Sequence, residues 1–197
     1  MSERPILYHM PNTRSGSAIF MDEELGGVCD LKLVNLRAGD ARKPDYLKLN
    51  PMGKVPTLVH RGVVATETAA ICAYLADAFP AIWLAPATTD PLRAAYYRWL
   101  FFSPSVLAPT MLDRLGNVKR ENAFAAGHGD YERVMSTINA ALSKGPWLLG
   151  ERFSAAGDLA AIRQACPAPE RGRLESLFED LARLNAVLTS LVARDKD

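Results

Sequence analysis

Short apolar runs alternate with turn-prone polar segments through the first eighty residues. Pro5-Ile6-Leu7-Tyr8 is a strand-length run halted by Met10-Pro11-Asn12-Thr13, which predicts a strand entering a loop. Residues 18–25, closed by Gly26-Gly27, predict a helix with a glycine stop. Leu31-Lys32-Leu33-Val34 reads as a second strand by alternation and length. Residues 39–50 are polar, with room for one short helix over 45–49 after Pro44. Thr57-Leu58-Val59-His60 and Val63-Val64-Ala65 flank Arg61-Gly62 and predict a hairpin. Thr66 is then expected to cap a helix in which Ile71, Tyr74, Leu75, Ala78 and Phe79 recur at helical spacing.

The predicted order, β-α-β-(α)-β-β-α, is that of a small α/β layer of the thioredoxin-like kind. Phe79-Pro80 ends it, and the stretch from Ala85 to Pro91, rich in Pro, Thr and Asp, reads as a linker. Beyond the linker the alternation disappears. Apolar residues return every three or four positions, as in Leu174, Leu177, Phe178, Leu181, Leu184, Leu188 and Leu191. The expectation is an α/β domain over 1–81 and an all-helical domain over 91–197.

Composition narrows the ligand. Lys+Arg number 23 and Asp+Glu 22 in 197 residues, a net charge of +1, so no global field draws the chain to nucleic acid or to an anionic membrane. A small-molecule ligand is expected. Cys29, Cys72 and Cys166 are odd in number and far apart, without CxxC or zinc spacing, which fits a reducing compartment. His9, His60 and His128 share no ligand spacing, so no metal is expected. His9 and Pro11 interrupt the apolar start, and no run of about 18 apolar residues occurs, so the expected location is the cytoplasm.

The most specific stretch is Leu49-Asn50-Pro51-Met52-Gly53-Lys54-Val55-Pro56-Thr57-Leu58-Val59. A proline heading a strand removes one ladder donor and, by itself, marks only an edge or a bulge. As a whole, however, the stretch resembles the NPxGKVPxL signature of the glutathione transferase superfamily, including its bacterial cytosolic members. That resemblance implies a cis peptide before Pro56. It also implies that Lys54, Val55 and Pro56 contact glutathione, Val55 pairing its N–H and C=O with the cysteinyl part like an added strand. Thr66-Glu67-Thr68-Ala69 follows at the expected distance. A helix start offers free N–H groups and partial positive charge, suited to a carboxylate. The resemblance gives Thr68 the γ-glutamyl carboxylate and Glu67 the ammonium group of the ligand.

The loop Met10 to Ser17 is where members of this family keep the group that activates the thiol. A thiol with a pKa near ~8.5 is only slightly ionised at neutrality, and lowering it by about two units takes roughly 2.7 kcal/mol of preference for the anion. The loop holds no cysteine, which argues against mixed-disulfide chemistry of the glutaredoxin kind. Ser15 is the first candidate hydroxyl and Thr13 the second, while the alternative is that both merely cap the helix. Arg14 is a surface charge by default, with a guanidinium able to meet a carboxylate or the thiolate. Tyr8, at the end of the strand, is expected to point elsewhere.

After the linker, Tyr96, Tyr97, Trp99, Phe101, Phe102 and Met111 crowd one region. Such a cluster suits a core or a dimer interface. The resemblance also places this helix beside the acceptor substrate, and Tyr97, Phe101 and Met111 are the candidates. The stretch from Gly145 to Ser154 is similar to a second recurrent family segment, but Asp158 follows Ser154 by four residues instead of three, and Pro167 and Pro169 interrupt the next helix. The implied protein is a homodimeric glutathione transferase that conjugates glutathione to a small hydrophobic electrophile. A non-catalytic glutathione-binding regulator and a glutathione-dependent isomerase or dehalogenase are the alternatives.

Overall fold

The computed structural model describes residues 4–119, 125–145, 147–151 and 153–156. Pro146, Arg152, Asp158, Cys166, Pro167, Pro169 and the helix predicted around 174–191 lie outside the described residues.

Strand β1 (Ile6–His9) leads through a loop into helix α1 (Ser15–Glu24), and the chain returns in strand β2 (Asp30–Leu33). β1 and β2 pair in parallel, Ile6 opposite Asp30 and His9 opposite Leu33, as a helical crossover requires. A 3-10 turn, Asp40–Arg42, precedes the short helix α2 (Pro44–Leu49). Strands β3 (Thr57–His60) and β4 (Val63–Thr66) form the expected hairpin, and helix α3 (Thr68–Ala78) follows. Arg61 and Gly62 both have positive φ, 51° and 75°, the backbone that a tight two-residue hairpin turn needs. The sheet order is β2-β1-β3-β4, with β3 antiparallel to both neighbours.

Two helix starts differ from the sequence expectation. α1 begins at Ser15, three residues before Ala18, because Thr13 takes the first N–H groups: its hydroxyl accepts from Ser15 N at 3.2 Å and its carbonyl from Gly16 N at 3.1 Å. Thr66 does not cap α3; it is paired with Thr57 as the last residue of β4, and Glu67 takes the cap position.

Leu7, Ala18, Ile19, Leu58, Ile71 and Leu75 are buried together where α1 and α3 pack on one face of the sheet. Tyr8, one residue on from Leu7, points to the opposite face and packs against a smaller cluster of Val34, Ala41, Tyr46 and Val55. The loop before β3 is therefore clamped from the α2 side.

Beyond Pro91 the described elements are helices. α4 (Leu92–Phe102) runs through a π turn, Ser103–Leu107, into α5 (Ala108–Leu115), and α6 (Tyr131–Leu142) packs on α5. Pro104 lies in the π turn, whose wider winding suits a residue that has no N–H to donate. Arg93 joins the two halves: its guanidinium donates to both carboxylate oxygens of Asp77 on α3, at 2.8 and 2.6 Å, and to the Pro86 carbonyl at 2.6 Å. No described helix is long and apolar enough to cross a membrane.

Candidate functional site at one end of the sheet

Strand register decides which loops meet. Tyr8, near the end of β1, stands opposite Thr57, the first residue of β3, and Thr57 stands opposite Thr66, the last of β4. Three segments that are remote in sequence therefore leave the sheet at the same end: the Met10–Ser15 loop, the Val55–Pro56 peptide, and the Glu67–Thr68 start of α3.

The Val55–Pro56 bond is cis. The turn before it is held by side chains that point inward. The Lys54 carbonyl accepts from the Tyr46 hydroxyl at 2.6 Å and from Asn50 Nδ2 at 2.9 Å. Both donors also reach Thr57 Oγ1, at 3.0 and 3.1 Å, and Asn50 Oδ1 accepts from Met52 N at 3.1 Å. Burial pushes the Tyr46 phenol above its ordinary pKa, which keeps it protonated as a donor. Gly53 has φ +59°, and a Cβ there would lie 2.8 Å from the Ala41 carbonyl, so only glycine fits. The turn thus presents Val55 in a fixed pose. Its peptide N–H and C=O lie outside the β3 ladder and have no partner among the described residues.

Glu67 is exposed and Thr68 half-buried. Glu67 has φ 68° and ψ 122°, a conformation that non-glycine residues rarely adopt. The first i→i−4 bond of α3 runs from Ile71 N to Glu67 O at 3.0 Å, which leaves the N–H groups of Thr68, Ala69 and Ala70 at the mouth of the helix.

In the β1–α1 loop, burial separates two hydroxyls that the sequence ranks the other way. Ser15 is 0% exposed, whereas Thr13 is half-buried and reaches the surface. Ser15 Oγ accepts from Met10 N at 3.0 Å and donates to Met10 O at 2.8 Å. Thr13 Oγ1 donates to the same carbonyl at 2.7 Å and lies 2.6 Å from Ser15 Oγ. Arg14 and Lys54 are exposed beside these elements in sequence.

The aromatic residues divide by helix face. Tyr96 and Trp99 are buried, while Tyr97 and Phe101 are 38% and 52% exposed and stack at 6.2 Å. Tyr97 Oη accepts from Arg93 at 2.9 Å. Because Arg93 is paired with Asp77, Tyr97 stands at the C-terminal end of α3, about 13 Å along that helix from Thr68. Met111 packs half-buried against the main core. Tyr97 therefore stands apart from the sheet end where the loops meet. Two buried polar atoms here, Tyr96 Oη and Arg93 Nε, have no partner among the described residues. Nor do the described residues include a His, Cys, Asp and Glu cluster able to hold a metal ion.

Sequence reasoning missed the support of the site. Asn50 was visible inside the motif, but its double grip on Lys54 and Thr57 was not, and Tyr46 carries no sequence signal beyond an aromatic in a short polar helix.

Comparison with known proteins agrees with this geometry. Residues 23–78 match the family model of the glutathione S-transferase N-terminal domain. Glutathione S-transferase GST-4.5 of Xanthomonas campestris pv. campestris is 32% identical over 132 residues, spanning 64% of this chain and 65% of that relative. A glutathione transferase homologue from Sulfitobacter, solved with bound glutathione, is 27% identical with a TM-score of 0.59, covering 82% of this chain and 80% of its own. A glutathione transferase from Methylococcus capsulatus is 26% identical with a TM-score of 0.71, covering 96% and 98%. The fold is that of a glutathione transferase, with a thioredoxin-like sheet followed, among the described residues, by helices. Over residues 23–78 the chain carries the glutathione S-transferase N-terminal pattern, and it spans just under two thirds of the length of the Xanthomonas relative.

Proposed function

We propose that the chain binds glutathione at the sheet end and transfers its thiolate to a small hydrophobic electrophile. The observation that carries this reading is the register Tyr8, Thr57, Thr66, which gathers a hydroxyl-bearing loop, an unpaired peptide and a helix start at one end of the sheet. Val55 offers its free N–H and C=O to the cysteinyl backbone, in the way a strand is extended. Thr68 and the α3 N–H groups take the γ-glutamyl carboxylate, and the Glu67 carboxylate takes the ammonium group. Lys54 and Arg14, both exposed, complement the remaining carboxylate charge. The bound glutathione of the Sulfitobacter homologue supports the choice of ligand.

Within this reading the thiol-activating donor is Thr13, not Ser15. A donor must touch the sulfur, and Ser15 is fully buried. A charge-assisted hydrogen bond to the thiolate is worth about 1.5–3 kcal/mol, enough to supply much of the required pKa shift. The domain reading is a glutathione-binding unit over residues 1–81 and a helical unit from residue 91 that walls the acceptor. Tyr97 and Phe101, apolar and exposed, serve either that wall or a second protomer, and we read the protein as a cytoplasmic homodimer.

Retention on immobilised glutathione followed by conjugation of chlorodinitrobenzene tests the reading. Both are expected. Retention without turnover would leave a glutathione-binding protein that does not catalyse transfer, and absence of retention would remove the site. Light scattering at micromolar concentration tests the dimer, against 21.5 kDa for one chain.

A further inference from the structure

The two loop hydroxyls share one carbonyl, and that limits where their protons can go. Thr13 and Ser15 make three oxygen–oxygen contacts: each with Met10 O, at 2.7 and 2.8 Å, and one with each other at 2.6 Å. A hydroxyl carries a single proton, so the pair can fill only two of the three. When the buried Ser15 donates to Met10 O, that carbonyl is satisfied and the Thr13 proton rests on the 2.6 Å contact to Ser15 Oγ, from which a stronger anionic acceptor can draw it. The Thr13 oxygen is meanwhile held in place from behind, by the Ser15 N–H at 3.2 Å.

We infer that Ser15 is a positioning residue: by holding the Met10 carbonyl from inside, it frees the Thr13 hydroxyl to turn outward and donate to the glutathione thiolate. This rests on the glutathione reading given above. Removing Ser15 leaves Met10 O dependent on Thr13, since a buried acceptor without a donor is costly. Thr13 is then drawn inward and the thiolate loses its partner, although Ser15 itself never touches the ligand.

The test is a double-mutant cycle read on the ionisation of bound glutathione, by thiolate absorbance during a pH titration. Thr13→Ala should raise the bound thiol's pKa, and Ser15→Ala should raise it in the same direction. A shift of about one unit would leave roughly tenfold less thiolate at neutral pH. In the Thr13→Ala background, Ser15→Ala should move the titration no further. Affinity for S-methylglutathione, which has no ionisable thiol, should be unchanged in Ser15→Ala, and Ser15→Thr, which keeps the hydroxyl, should titrate like the parent protein wherever its melting temperature shows that the added methyl is accommodated.

Additive shifts would make the hydroxyls independent donors and overturn the inference. So would a titration that responds to Thr13→Ala alone. Equal loss of glutathione and S-methylglutathione affinity in Ser15→Ala would reduce Ser15 to a loop support and overturn it as well. Failure of the unaltered protein to bind either compound is a separate result, because it overturns the glutathione reading before the hydroxyl pair is tested.

Discussion

The turn from Asn50 to Thr57 and the helix α4 both bury polar groups, with opposite outcomes. In the turn, one carbonyl takes two short side-chain bonds and a longer one from Thr57, Thr57 Oγ1 meets the same two donors, and Gly53 has no room for a Cβ. In α4, Tyr96 Oη and Arg93 Nε are buried without partners among the described residues, while Tyr97 and Phe101 lie outside. The contrast follows from what each region is proposed to recognise. A peptide backbone presents fixed hydrogen-bonding positions, so the protein must hold one pose. Apolar acceptors vary in shape and need area more than direction; in α4 the buried side-chain atoms without a described partner are only these two, since Arg93 is otherwise tied to Asp77, Pro86 and Tyr97.

Several substitutions separate the two regions, beginning with the largest expected effect. Asn50→Ala removes the amide that ties Lys54, Thr57 and Met52 together, and should cost about 2–4 kcal/mol in urea unfolding with loss of glutathione binding. A destabilisation below about 1 kcal/mol would show that the Tyr46 and Thr57 bonds hold the turn without Asn50. Glu67→Ala and Thr68→Ala should each weaken glutathione binding by about 1–3 kcal/mol in calorimetric titration, because each leaves a ligand charge unpartnered. Unchanged affinity in two folded variants would remove the start of α3 from the site. Tyr46→Phe, which takes away the shortest of the three side-chain bonds to the Lys54 carbonyl, should cost about 1–2 kcal/mol.

The smallest effect falls in α4. Tyr96→Phe deletes a hydroxyl that has no described partner, so stability at neutral pH should change by less than about 1 kcal/mol and in either direction. The variant differs at alkaline pH. Burial holds the Tyr96 phenol protonated well above its ordinary value of 10.0, so its contribution is complete below that pH and declines as pH rises beyond it, where the unfolded chain ionises first. Tyr96→Phe should flatten that decline in denaturant midpoints taken from neutral to alkaline pH. A loss comparable to that of Tyr46→Phe would mean that the Tyr96 hydroxyl has a partner after all, and the comparison would collapse.

How legible this was in the sequence depended on the physics involved. Alternation and turn residues placed the four described strands within about one residue of their positions, since side chains of a strand alternate between the two faces of its sheet. The start of α1 was displaced because a threonine two residues upstream takes its first N–H, and helical periodicity does not report such a bond. Val55, Glu67 and Thr68 were visible through a run of several residues with one recognisable geometry. The difference between Ser15 and Thr13 was not, because burial depends on how the loop folds over its own carbonyl, and both residues carry the same functional group. The division of Tyr96 from Tyr97 was likewise a matter of helical phase, which an aromatic cluster leaves open until a partner face is known.

Glu67 carries a cost of a different kind. With φ 68° and ψ 122° it occupies a backbone conformation worth roughly 1–3 kcal/mol of strain for a side-chain-bearing residue, one that glycine would largely relieve. A search for thermostable variants would therefore be drawn to this position early and rewarded for Glu67→Gly. The sturdier protein would have surrendered the carboxylate proposed to meet the ligand's ammonium group, so at residue 67 heat tolerance and ligand capture pull the chain toward different amino acids.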